Sequence, residues 1–214
     1  QAAAAGLRSV FIGFETFSNN NLQQSNKKQN IGKDYTEAIR RLHDLGIMIN
    51  GSFVFGLDDD GPDVFKRTVD WAVRNGITTC TFHVLTPYPG TALYKRMEQE
   101  GRILHQNWDL YDTRHVVYRT AGLSAAQLEE GYHRAYRNFY SWSNIAHASM
   151  QHRHIRHMLK HFAYAGGWKK FEPLWNFIIK TQGLNRMLPL LESILSKVPS
   201  VKTQPALQPA PSNL

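Results

Sequence analysis

The sequence predicts an α/β fold followed by a mainly α-helical C-terminal extension. Two observations predict the α/β part. Three apolar runs rich in β-branched and aromatic residues are each followed by a helical pattern, and the runs recur about every 30 to 40 residues. Such spacing is typical of parallel β/α units. Three units cannot close a barrel, so either the sheet is small and open or further strands complete a partial (β/α) barrel.

The first predicted unit begins with the apolar run Arg8 to Glu15, which reads as a buried strand that ends in a carboxylate. A polar loop rich in Asn and Gln follows over residues 18–33. Asp34 is then predicted to cap a helix with Glu37 as its capping-box partner, and Gly46 to end that helix.

The second and third predicted units have the same order. A strand over residues 47–57 is followed by a turn over residues 58–62, and a helix continues to Asn75. A third strand covers residues 77–85, and a loop with two prolines leads to a helix over residues 91–100.

A different pattern begins after Gly101. Residues 108–119 predict a loop and a short extended stretch, and Ser124 with Gln127 predicts a capped helix. The remainder to residue 197 is helical by pattern, and the tail contains four of the nine prolines. We therefore predict three domains: 1–105 with the β/α units, 106–197 as a mostly helical extension, and 198–214 as a disordered Pro-rich tail.

Composition narrows the class of protein. The chain is 42% hydrophobic and 20% charged, which is typical of a globular protein. No run of eighteen apolar residues predicts a transmembrane helix, and no secretory signal is evident at the start. The single cysteine, Cys80, excludes a disulfide framework within the chain and fits a reducing environment. We expect a cytoplasmic location.

Positive charge is concentrated near the C-terminus. The net charge is +8, and residues 143–197 carry eight Lys and Arg against two Glu. Basic helices with large aromatic residues suit a peripheral contact with a membrane. The alternative, which we favour on sequence alone, is a helical appendage with a solvated basic face.

Two further interpretations of the basic segment are less favoured. His154, His157 and His161 share a helix face, but no acidic or cysteine ligand accompanies them in a metal site. No nucleic-acid-binding motif is present, and no nucleic acid partner is expected.

Ligands of parallel β/α folds bind at the carboxyl ends of the strands. That rule selects Glu15, the segment from Gly56 to Asp59, and the segment from His83 to Thr91. Each has a structural alternative. The glutamate can pair with a neighbouring base, the glycine can permit tight packing, the aspartates can form a turn, and the histidine can be a core residue.

These segments together resemble a known family. The runs SVFIGFE, GSFVFGLDDD and TFHVLTPYPGTALY, in this order, resemble strands four to six of a radical S-adenosylmethionine barrel. More narrowly, they resemble the branch that carries a cobalamin-binding domain. The segments WDLYDTRHVVYR and GYHRAYRNFYSW are similar to the C-terminal extension of that branch. The resemblance covers residues 6–143.

The resemblance implies a cofactor-binding role for seven residues. Glu15 would meet the ribose or amino-acid part of S-adenosylmethionine. Ser52, Val54 and Gly56 fall on the family's Gly-x-Ile-x-Gly pattern around the adenine. Asp59 stands where that pattern has a longer glutamate, and Ser52 replaces a glycine. The remaining two, which would flank the adenine, are His83 and Leu85.

The implied function of the intact protein is that of a radical enzyme. A [4Fe–4S] cluster would cleave S-adenosylmethionine. The radical would then methylate or rearrange an unactivated carbon of a small-molecule or lipid-like substrate, with cobalamin as a further cofactor.

The family's Cys-x3-Cys-x2-Cys loop has no match in this sequence. The opening Gln1 to Gly6 resembles the last turn of a helix. We therefore expect a fragment whose upstream half supplies the cluster, and which is inactive alone. A catalytically inactive remnant that acts as a binding or scaffold module is the alternative. An unrelated phosphate-binding enzyme is least favoured, because no glycine-rich loop supports it.

Overall fold

The computed structural model describes residues 1–18, 21 and 34–180, with side chains described as far as residue 169. The chain divides into two compact units, Gln1–Lys169 and Lys170–Leu214. The predicted tail at 198–214 lies outside the described residues. The proposed boundary at residue 105 stays a prediction.

Three strands and six helices account for the regular structure of the described residues. The strands are β1 (Ser9–Glu15), β2 (Met48–Phe55) and β3 (Thr79–Val84). The helices are α1 (Thr36–Asp44), α2 (Val64–Arg74), α3 (Ala92–Gln99), α4 (Ala125–Phe139), α5 (Trp142–Ser149) and α6 (Ile155–Lys180), with a short 3-10 turn at Trp108–Leu110.

The strands form one parallel sheet in the order β1-β2-β3. The predicted α/β class and the three strand–helix units are thereby confirmed. Since all three strands run in the same direction, their carboxyl ends lie at one edge of the sheet. Whether the sheet is part of a larger barrel stays a prediction.

One face of the sheet is covered by helices. The buried strand residues on this face are aromatic or aliphatic, and they form one core with residues of α1, α2 and α4. The strand members of that core are Phe14, Ile49, Phe53, Phe55, Cys80, Phe82 and Val84. Burial of this apolar face is what holds the sheet to its helices.

The opposite face of the sheet carries a different set of side chains. Because side chains alternate along a strand, Asn50, Ser52 and Val54 of β2 point away from the helices. On β1, Phe11 is 66% exposed although it is a large aromatic residue in a strand. We call this side of the sheet the open face.

The outer edge of β3 is closed by two tyrosines. The Tyr140 hydroxyl accepts from the Cys80 amide at 3.2 Å and donates to the Cys80 carbonyl at 3.0 Å. Tyr136 of α4 makes the same pair of bonds with Phe82, at 3.0 and 3.3 Å. These hydroxyls occupy the positions that a neighbouring strand would otherwise fill.

One predicted helix cap is confirmed. Ser124 precedes α4, and both hydrogen bonds of its capping box with Gln127 are present. The first residues also form a helical turn, in which the Leu7 amide donates to the Ala2 carbonyl and Gly6 has a φ of 110°.

The other predicted cap is confirmed only for Asp34, whose carboxylate accepts from the Thr36 amide at 2.9 Å, whereas the capping box with Glu37 is wrong. The residue that precedes α1 is Tyr35, which makes no side-chain cap. The Glu37 carboxylate accepts from Arg40 and Arg41 instead of from a backbone amide at the helix start. Bonds between a carboxylate and guanidinium groups, in which both partners are charged, compete successfully with a bond between that carboxylate and a neutral backbone amide.

Candidate functional site

Glu15 is directed onto the open face at the end of β1. It has a φ of 66°, a left-handed conformation that is uncommon for a non-glycine residue. A Cβ placed on Gly13 would lie 2.8 Å from Oε1 of Glu15. The carboxylate therefore folds back over the glycine, which leaves room for it by lacking a side chain.

Three more of the predicted site residues lie on the same face. Ser52 and Val54 are alternate residues of β2, and His83 is the register partner of Val54 on β3. Ser52 is buried, whereas the other two are half-buried. The structure thus brings Glu15, Ser52, Val54 and His83 together near the carboxyl ends of the strands.

The environment of His83 changes the pKa of its ring. Burial lowers the pKa of His83, and the negative charge of Glu15 opposes that shift. Nδ1 of the ring lies 3.2 Å from the Thr113 hydroxyl. The lowered pKa keeps the imidazole neutral near pH 7, so it can act as both hydrogen-bond donor and acceptor.

Gly56 is explained by packing within the protein. Its φ is 94°, and a Cβ there would lie 2.6 Å from the Tyr118 hydroxyl and 2.8 Å from the Leu128 side chain. The Tyr118 hydroxyl donates to the Gly56 carbonyl. Of the two sequence interpretations, tight packing accounts for this glycine, and its role beside adenine stays a prediction.

Asp60 is the buried carboxylate of the turn after β2. It accepts from the amides of Gly56 and Leu57 at 2.9 and 3.1 Å, and from the Asn21 side chain at 2.9 Å. Burial raises its pKa to about 6 even though these three donors favour the charged form. This residue therefore holds the turn in place, in agreement with the structural alternative for the aspartate run.

The other two predicted residues contact other parts of the protein. The Asp59 carboxylate accepts from the Ser18 hydroxyl at 2.8 Å, which ties this turn to the segment after β1. Leu85 packs against a second apolar cluster that includes Tyr94, Met97 and Tyr118. Their contact with a cofactor stays a prediction.

Sequence reasoning missed two polar residues of the open face. Asn50 is two residues before Ser52 on β2, and Thr81 is the register partner of Ser52 on β3. Oδ1 of Asn50 and Oγ1 of Thr81 are buried and have no hydrogen-bond partner among the described residues. Polar residues at alternate positions of apolar strands were the signal that could have identified them.

A shallow depression lies beside the first turn of α2. Its lining includes Thr16, Ser18, Asp59, Asp60 and Arg67. It shares only Asp59 with the predicted site, so the open face and this depression are separate features.

No group of three or more His, Cys, Asp or Glu among the described residues could hold a metal ion. Cys80 is a buried core residue, and burial raises the pKa of its thiol well above the usual value. A single protonated thiol does not fit an iron–sulfur cluster, which needs several thiolates. The described helices include none long and apolar enough to span a bilayer.

Comparison with known proteins identifies the class. Residues 91–187 match the profile of a domain of unknown function, DUF4070. Bacteriochlorophyllide d C-12(1)-methyltransferase of Chlorobaculum tepidum is 35% identical over 144 residues, which are 67% of this chain and 31% of that protein. Bacteriochlorophyllide d C-8(2)-methyltransferase of the same organism is 27% identical over 142 residues, or 66% of this chain and 32% of the relative.

A third relative is the hopanoid C-2 methylase of Rhodopseudomonas palustris. It is 28% identical over 98 residues, which are 46% of this chain and 19% of the methylase. The chain thus spans about a third or less of the length of the curated relatives it matches. It belongs to the radical S-adenosylmethionine superfamily, in the branch associated with a cobalamin-binding domain, and it corresponds to the C-terminal region of that branch.

Proposed function

We propose that this chain is part of a radical S-adenosylmethionine methyltransferase and supplies one wall of its cofactor pocket. The observation that carries the proposal is the grouping of Glu15, Ser52, Val54 and His83 on the open face. S-adenosylmethionine, when bound, would supply a 5′-deoxyadenosyl radical or a methyl group. The iron–sulfur cluster and any cobalamin would be held by residues outside this chain.

The chemistry of the open face fits the nucleoside part of this cofactor. The Glu15 carboxylate can accept hydrogen bonds from ribose hydroxyls or from the amino group of the methionine part. Val54 offers an aliphatic surface for the adenine ring. The neutral His83 imidazole adds a donor and an acceptor beside it.

The substrate is proposed to be a large, mainly apolar molecule. Two relatives are named for bacteriochlorophyllide and one for hopanoid, which are ring systems with extensive apolar surface. In this chain, the unpartnered oxygens of Asn50 and Thr81 would receive a polar group of the substrate or cofactor. Exposed Phe11 would contribute apolar surface on the same side.

The test uses the protein expressed from its complete open reading frame and reconstituted without oxygen. Glu15→Gln keeps the shape of the side chain but removes its charge, so the affinity for S-adenosylmethionine should fall roughly tenfold. Equilibrium dialysis with labelled cofactor measures the affinity, and 5′-deoxyadenosine formation measures turnover. Glu98→Gln, at an exposed position of α3, is the matched control.

A folded Glu15→Gln protein with unchanged affinity would remove Glu15 from the pocket. Absence of 5′-deoxyadenosine from the reconstituted wild-type protein would favour the alternative, a binding or scaffold module without redox chemistry.

A further inference from the structure

An exposed apolar stripe lies on α5 and α6, outside the proposed cofactor site. It consists of Trp142, Ile155, Leu159 and Phe162, which are between 40% and 64% exposed. The last three are spaced i, i+4 and i+7 and so lie on one side of α6. Large apolar side chains grouped at a surface mark an interaction site more often than scattered ones do.

Contacts with the rest of the fold hold the side chains of the stripe in place. The rings of Trp142 and Phe162 lie 5.9 Å apart, and Gly166 allows Trp142 to approach the helix closely. On the other side of α6, His161 and Ala165 are buried against the protein. The helix therefore presents apolar side chains to its own core and to the outside.

The segment that carries the stripe has charges of one sign. Residues 131–171 contain no Asp or Glu, whereas α6 and the turn before it carry Arg153, Arg156, Lys160 and Lys169. Neither Arg153 nor Arg156 forms a salt bridge with any described residue. Lys160 donates to the Gly46 carbonyl at 3.2 Å, and the Lys169 ammonium lies 5.4 Å from the Trp142 ring centre.

We propose that this stripe docks on an anionic lipid membrane surface. Aliphatic and tryptophan side chains would enter the boundary between head groups and acyl chains. The Arg and Lys side chains beside them would meet the lipid phosphates. A nucleic acid would use the cations but would leave Ile155 and Leu159 in water. An acidic protein is the competing partner, and the test below separates it from lipid.

Co-sedimentation of the purified chain with vesicles tests the proposal. The chain should bind vesicles of equimolar phosphatidylcholine and phosphatidylglycerol, and bind phosphatidylcholine alone at least tenfold more weakly. Binding should weaken as salt is added, because salt screens the cations. No binding to the anionic vesicles would overturn the proposal, and so would equal binding to both kinds.

Two double variants, each compared with a control elsewhere on the protein, separate the apolar and the charged contributions to binding. Leu159→Glu with Phe162→Glu should reduce the partition coefficient at least tenfold, whereas Leu104→Glu, at another exposed apolar position, should not. Arg153→Gln with Arg156→Gln should reduce it about tenfold. Lys66→Gln with Arg67→Gln on α2 makes the same charge change elsewhere and should have a smaller effect.

Circular dichroism establishes that each variant is folded. Equal losses in the stripe variants and their controls would overturn the assignment of the surface. If both double variants of α6 and its preceding turn bound vesicles as the wild type does, and the wild type bound an acidic protein, the stripe would be assigned to a protein partner instead. The proposal does not depend on methyl transfer, so it can fail or succeed independently of the proposed function.

Discussion

The three aspartates of the loop after β2 have different structural roles, although they are adjacent and chemically identical. Asp60 joins three donors from the turn and from Asn21, and it is buried at 3% exposure. The run of three aspartates predicted a turn, but not which of them would be buried. Asp58 pairs with Arg102, which lowers its pKa, and Asp59 is exposed. These distinctions depend on partners far away in sequence.

Asp60→Asn should destabilise the fold by about 1–3 kcal/mol at pH 8, because an amide group would face two backbone N–H donors. The loss should grow as the pH falls below about 6, because the wild type gains stability there and the amide does not titrate. The folded pKa of Asp60 is raised to about 6 from 3.8, so its ionisation costs stability as the pH rises through that window. Urea unfolding at several pH values measures both effects. Asp63→Asn, at an exposed position, should change stability little; a similar loss there would refute the explanation.

The site residues show what sequence could and could not predict at this scale. Glu15 and His83 were predicted from the carboxyl-end rule, all four of Glu15, Ser52, Val54 and His83 were predicted from the resemblance, and they share the open face. Leu85 lies just beyond the end of β3 and packs against the second apolar cluster, and its contact with a cofactor stays a prediction.

At the scale of elements, α4 is joined to the sheet both by packing and by hydrogen bonds. α4 packs on β3 and α2, and its tyrosines bond the backbone of the outer strand. Periodicity predicted the helix and its start at Ser124. It could not predict that Tyr136, on the apolar side, would use its hydroxyl to close a strand edge.

Tyr136→Phe and Tyr140→Phe should each destabilise the fold by about 1–3 kcal/mol, since each leaves a buried amide and a carbonyl of β3 without a partner. The effect of Tyr140 should be the greater, because Tyr140 is buried whereas Tyr136 is half-buried. Thermal or urea unfolding measures the loss. Tyr164→Phe, where the ring is 47% exposed, serves as control. Equal stability of all three variants would contradict the edge-closing role.

At the scale of the whole first unit, four histidines connect α1 to α6. His152 lies between His43 and His161, with ring centres 4.2 and 5.0 Å away, and His157 is 6.5 Å from it. Nε2 of His152 and Nδ1 of His161 are 2.8 Å apart. Sequence predicted a shared helix face for two of these, but not the partners from α1 and from the turn before α6.

This cluster should make the fold sensitive to acid. Burial lowers the pKa of His152 to about 4 and of His161 to about 3, from 6.5. Below pH 6.5 the unfolded chain binds protons that the folded cluster excludes, so stability should fall from pH 6.5 toward pH 4. The slope is up to about 1.4 kcal/mol per pH unit for each histidine. The neighbouring charges are Asp44, which favours protonation of His43, and a positive charge on His157, which opposes it.

His161→Leu should flatten this dependence in urea unfolding measured across pH 4 to pH 8. The same change at exposed His133 should leave it intact. The Asp60 contribution has the opposite sign and the smaller shift, so it reduces the slope without reversing it. An unaltered slope in His161→Leu would rule out the cluster as its source.

The two borders of the sheet are unequal, and this sets a limit on self-association. The tyrosine hydroxyls leave β3 unable to accept another strand, while the described residues offer no partner for the outer side of β1. If two copies paired through the outer side of β1, neither copy would retain an unpaired strand for a third copy. Misassembly by strand exchange should therefore terminate at a closed pair, and an endless fibril would first require α4 to detach.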